Sequence, residues 1–66
     1  MNKIYEVWIG WRENNEDCYL RTTDIEKAKE MAKYHDARST NEDKKRGLFV
    51  EIRIPINEYD YNIIEF

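Results

Sequence analysis

Side chains with intrinsic chemistry are few in this chain. Cys18 and His35 each occur once, so a nucleophile–base pair would have to use both. Glu16 and Asp17 stand beside the thiol and disfavour its thiolate. Cys18 therefore reads as a small buried apolar residue and His35 as a helix-end residue near an apolar stripe. A structural zinc ion needs four ligands of mainly Cys and His type, which the chain lacks. Glu13, Glu16 and Asp17 could hold a divalent cation weakly. They lack the alternating spacing and central glycine of a calcium loop and read as a solvated turn. Gly10 and Gly47 belong to no phosphate-binding pattern. The expectation is a protein that is not an enzyme, with no catalytic residue, no cofactor and no metal.

The remaining chemistry is aromatic and cationic. Trp8, Tyr19 and Phe49 alternate with Arg21 and Arg53 in segments that read as strands. Aromatic residues and arginine are the types in which interface centres are enriched. The basic run Lys44-Lys45-Arg46-Gly47 leads into Leu48-Phe49-Val50. Over about seven residues this resembles the first ribonucleoprotein strand of RNA-recognition motifs, where a basic residue and Gly precede base-stacking aromatics. One residue is missing between Gly47 and Phe49, and Leu48 and Ile52 replace aromatics. The chain is also short for that domain, so the family is not carried over.

These side chains need elements to position them. The chain has 66 residues, 11 Lys and Arg against 14 Asp and Glu, and a net charge of −3. Surface scaling gives a folded area of roughly 4,500 Å², enough for one thin core and one functional face. That size favours a binding module over a deep catalytic cleft. The charge offers no broad basic field for nucleic acid and no polybasic tail for a membrane. No run approaches the ~20 apolar residues of a membrane span. The N-terminus, broken by Glu6, lacks the apolar core of a signal peptide, so a cytoplasmic location is expected.

Residues 3–12 alternate as a strand, with Tyr5, Val7, Ile9 and Trp11 on one face and Ile4, Glu6, Trp8 and Arg12 on the other. A turn at 13–17 leads to a short strand at 18–22, with Cys18 and Leu20 on one face and Tyr19 and Arg21 on the other. Thr23 and Glu26 fit a capping box for a helix running to about Ala37. Ile25, Ala28, Met31, Ala32 and His35 form its apolar stripe, and Glu26–Lys29 and Glu30–Lys33 its surface pairs. A polar loop at 38–47 precedes the strand 48–54, whose Leu48, Val50, Ile52 and Ile54 oppose Phe49, Glu51 and Arg53. Pro55 ends it or confines it to an edge. Residues 56–66 read as an extra strand or a packed tail. The fold class expected is α+β: one compact domain spanning 1–66, a two-layer ββαβ(β) arrangement. An antiparallel sheet of three to four strands carries one helix on one face.

With the helix on the Val7 face, Trp8, Tyr19 and Phe49 are left on the other, with Arg21 and Arg53 among them. Contiguous aromatic patches mark contact surfaces. A tail folded back with Tyr59, Tyr61, Ile64 or Phe66 would instead make Trp8 and Phe49 a second small core. A bulge at Gly10 would place Trp8 and Trp11 on one side. The reading is a protein-binding module acting by surface contact with a larger protein, as a regulator or inhibitor. Its partner-binding residues are Trp8, Tyr19, Arg21, Phe49 and Arg53, with Arg21 and Arg53 pairing acidic partner groups at the rim. A second copy of the chain is an alternative partner. In size and composition the chain is similar to short accessory proteins of phages and mobile elements, including inhibitors of host defence systems. The alternative reading is a single-stranded nucleic-acid binder, with the three rings stacking bases and Arg21, Lys44, Lys45 and Arg46 meeting phosphates. On the contact reading, folded Trp8→Ala loses partner affinity or changes oligomeric state, as measured by affinity capture and by sizing.

Overall fold

The computed structural model describes residues 3–12 and 14–66. Strand β1 (Tyr5–Trp11) and strand β2 (Glu16–Thr22) form a hairpin. Helix α1 (Ile25–Arg38) and a short helix α2 (Asn41–Lys45) follow, then strands β3 (Leu48–Pro55) and β4 (Tyr61–Ile64). The sheet order is β2-β1-β3-β4, and every neighbouring pair is antiparallel. The chain is thus a small α+β fold, with a four-stranded antiparallel sheet and one main helix against it. The final segment, left open between strand and tail by its sequence, is a strand on the β3 edge.

The period-two pattern builds the layer under the helix. Val7 pairs with Ile52 and Ile9 with Val50 across β1 and β3. Val7 and Ile52 are fully buried in a cluster with Ala28 and Ala32 of α1, and Tyr5, Ile9, Leu20, Met31, Val50 and Ile64 pack around them. The two alanines carry no bulk beyond Cβ, so the helix sits close to the sheet. Burying Val7 and Ile52 stabilises the fold by ~1.5–3 kcal/mol each. Trp11 and Ile54, expected on this face, lie outside the cluster, and Trp11 is exposed at the end of β1.

Three local features depart from the sequence expectation. The cap of α1 is Asp24 rather than Thr23: its carboxylate accepts from the backbone N–H of Glu26 and Lys27 at 3.0 and 3.3 Å. Thr22 Oγ1 in turn accepts from Asp24 N–H, so the hydroxyl two residues earlier secures the cap itself. The loop expected at 38–47 contains α2, started by a capping box in which Thr40 and Asp43 satisfy each other's backbone N–H. The ion pairs among described residues do not include Glu26–Lys29 or Glu30–Lys33. Lys44 of α2 instead reaches Asp36 of α1 at 3.1 Å.

Gly10 does not bulge. The irregularity lies opposite, in β2: Val7 pairs with Leu20 but Trp8 with Cys18, leaving Tyr19 as the extra residue. What Gly10 provides is room. A Cβ there would stand 2.5 Å from both the Asn15 carbonyl oxygen and the Glu16 Cα, both backbone atoms that cannot swing aside. Gly10→Ala is therefore expected to cost ~1–3 kcal/mol by overpacking, read as a lower urea midpoint at unchanged slope.

Candidate functional site

The sheet face away from α1 is built around one cation. Glu6, Trp8 and Gly10 of β1 pair with Arg53, Glu51 and Phe49 of β3, so these six residues share that face. Arg53 is only 6% exposed. Its Nε donates to Glu51 Oε2 at 3.0 Å, and its two terminal nitrogens donate to the two Glu16 oxygens at 3.2 and 3.1 Å. The side chain therefore crosses β1 from β3 to β2. Its guanidinium lies 4.6 Å from the Trp8 ring centroid and 4.2 Å from that of Tyr61.

The neighbouring groups are committed in the same way. Trp8 Nε1–H donates to Glu6 Oε1 at 3.1 Å, and Arg21 Nε meets Glu6 Oε2 at 2.9 Å. Phe49 is buried at 8% exposure, with Arg12 over its ring at 4.9 Å. Among the described residues, no buried side-chain nitrogen or oxygen lacks a hydrogen-bond partner. Hydrogen bonds from Arg53 hold the Glu16 carboxyl below its ordinary range. Burial pulls the Arg53 guanidinium down, but the hydrogen bonds it donates to Glu16 and Glu51 outweigh it and raise the net value. Arg53 is thus a permanent charge, balanced from within the chain.

This arrangement sorts the five expected contact residues. Trp8, Phe49 and Arg53 do share the outer face, and Arg21 flanks it. Tyr19 does not. The bulge turns it to the helix side, where it meets the His35 ring edge-on at a centroid distance of 5.2 Å. Cys18 takes the outer-face position opposite Trp8 and is exposed rather than buried. Partial burial, then the Glu6 carboxylate, pushes its thiol up. Arg53 is not a rim cation available to a partner's acids, because Glu16 and Glu51 occupy its donors. Phe49 offers little free ring surface for contact or base stacking. Lys44 is tied to α1 by Asp36. Glu13 lies outside the described residues. Among them, no three His, Cys, Asp or Glu side chains are grouped to hold a metal ion. Among the described residues, no helix is long and apolar enough to cross a membrane.

The sequence reading missed the part of this face with free surface. A notch of about 210 Å³ opens where β4 joins the sheet. Glu6, Trp8, Arg53, Pro55, Tyr61 and the turn 57–60 line it. Asn57 makes the turn rigid. Its Oδ1 accepts from the N–H of Tyr59 and Asp60 at 2.8 and 2.9 Å, and its Nδ2 donates to Asp60 Oδ2 at 3.3 Å. The Asp60 carbonyl closes the turn by accepting from Ile56 and Asn57 N–H. Tyr59 is thereby held at the tip, 86% exposed. The available signal was Asn57 followed by polar residues between Pro55 and the alternating end of the chain.

Comparison of the chain with protein-family models, with curated proteins and with solved structures finds no match.

Removing Arg53 leaves the largely covered Glu51 with only Arg12, 3.6 Å from its other oxygen, so Arg53→Leu is expected to cost ~3 kcal/mol. A 66-residue fold has only about 3–10 kcal/mol in all, at ~0.05–0.15 kcal/mol per residue. Thermal melting should therefore show a markedly lowered midpoint. Because the folded Glu16 value is lowered, its contribution is complete above the ordinary 4.5 and is lost as pH falls through the lowered value. Glu16→Gln should flatten that acid limb in urea titrations across pH, by a modest amount because Glu16 is half exposed.

Proposed function

We propose that the chain is a small non-enzymatic protein-binding module that acts by surface contact, as a regulator or inhibitor of a larger protein. The supporting observation is Tyr59: a large aromatic almost wholly exposed on a turn fixed by hydrogen bonds, beside a notch lined in part by Trp8 and Tyr61. Exposed aromatics held rigid lose little freedom on binding, which is what makes contact anchors effective. A partner footprint of ~800 Å² is a substantial share of the 5264 Å² surface, so one contact face is what the molecule can present. In this reading Trp8 and Arg53 position the face, while Tyr59 and Tyr61 meet the partner. Arg21, with its outer edge in solvent, belongs to the rim.

The test uses position 59, where substitution leaves the packed layers intact. A photo-crosslinking phenylalanine analogue at Tyr59 should capture one predominant protein from nuclease-treated source-cell lysate, identified by mass spectrometry. The same analogue at Glu26, on the far side of the helix layer, should not capture it. Capture of nucleic acid alone, or the same yield from both positions, would reject the reading.

A further inference from the structure

Independently of the role of Tyr59, we propose that β4 pairs edge to edge with the β4 of a second copy of this chain, joining the two sheets antiparallel into one. The sheet has two edges, β2 and β4. Outward backbone groups on an edge strand have no partner within the sheet, and native proteins guard such edges with charge, proline or bulges. β2 is guarded twice: Glu16, Asp17 and Arg21 lie along it, and the extra residue at Tyr19 breaks its register. β4 has none of these guards. Its sequence Tyr61-Asn62-Ile63-Ile64 carries no charge and no proline, and its pairing with β3 runs without a bulge. Helix α1 packs over β1, β2 and β3 and leaves β4 at the open margin, where Ile63 is 57% exposed.

The hydrogen-bond pattern fixes how two copies meet. Ile56 N–H donates to the Asp60 carbonyl directly opposite it at 2.9 Å. Bonded and non-bonded pairs alternate along an antiparallel ladder. Ile54–Asn62 and Ile52–Ile64 are therefore the bonded pairs, and Tyr61 and Ile63 direct their N–H and C=O away from β3. This outward row is self-complementary. A two-fold axis at Ile63, perpendicular to the sheet, lets each Ile63 exchange both bonds with that of the other copy and sets Tyr61 opposite Glu65. It keeps both helices on one side and brings the two Ile63 side chains together on the other. The same axis matches charge. Glu58 and Asp60 follow the end of β3, and Lys45 and Arg46 precede its start. None of the four makes an ion pair among the described residues. With the copies antiparallel, the acidic turn of each lies towards the basic entry to β3 of the other. Only the edge is used, so Tyr59 stays exposed on both copies.

Sedimentation equilibrium of the full chain at physiological salt should show a monomer–dimer equilibrium. Ile63→Pro removes the outward N–H while leaving the bonds to β3 in place, and Ile63→Lys sets two ammonium groups side by side at the axis. Each should raise the dimer dissociation constant about tenfold or more, with circular dichroism confirming that the variant is folded. Glu58→Lys and Lys45→Glu, both at exposed positions, should each weaken the dimer about threefold, and the double variant should restore it. A wild-type monomer at ~1 mM would overturn the proposal. So would a dimer unchanged in folded Ile63→Lys, or charge-reversal losses that the double variant does not restore. Each of these results leaves the Tyr59 crosslink to stand or fail separately.

Discussion

A single buried guanidinium ties three of the four strands together. Arg53 leaves β3, passes over β1 and ends in a two-point contact with Glu16 of β2, with Glu51 of its own strand on Nε. Arginine suits this role because its fork is planar and its charge permanent. A lysine in the same place would have one nitrogen for three carboxylate oxygens and no flat surface for Trp8 and Tyr61. The rest of the outer face follows from that demand. Gly10 must be bare on a separate count, since a side chain there would meet the backbone of Asn15 and Glu16. Trp8 turns its ring to the guanidinium, and its indole N–H donates to Glu6. Tyr61 covers the remaining side, which fixes β4 and the turn before it.

The arrangement also accounts for a sheet with only one covering layer. Among the described residues, the fully buried cluster under α1 comprises four, two of them alanines. The molecule measures 40 × 25 × 16 Å. Its surface of 5264 Å² exceeds the roughly 4,500 Å² that scaling assigns to a compact chain of this mass. A sheet this exposed would normally carry polar residues on its open face. Here the open face is a stack of arginines on aromatic rings, tied by ion pairs. That stack supports the small region, around Tyr59, that projects into solvent.

Much of the fold was legible in the residue pattern because its determinants are local. The alternation of Val7 and Ile9, and of Val50 and Ile52, fixed which faces meet the helix. The same alternation placed Trp8, Phe49 and Arg53 together on the other side. Tyr19 went astray because a bulge shifts the pleat by one residue, and no side chain in β2 announces it. The cap moved from Thr23 to Asp24 because both can accept a backbone N–H, and Thr22 behind Asp24 favours the latter. The helix at 41–45 was legible in principle, since Thr40 and Asp43 have capping-box spacing. What could not be read was that Arg53 turns inward. Its partner Glu16 is 37 positions away and contact depends on the strand order. The candidate site shifted accordingly, from the rings that support the face to the turn that projects from it.

The account stands on the Arg53 side chain being locked between Trp8 and Tyr61, and its own N–H resonances report this directly. In the protein near neutral pH, the Arg53 Nε–H signal should exchange slowly with water and show cross-relaxation to the ring protons of Trp8 and Tyr61. A fast-exchanging Arg53 signal with no contact to either ring would mean the guanidinium is solvated. The ordered face built on it would then not exist.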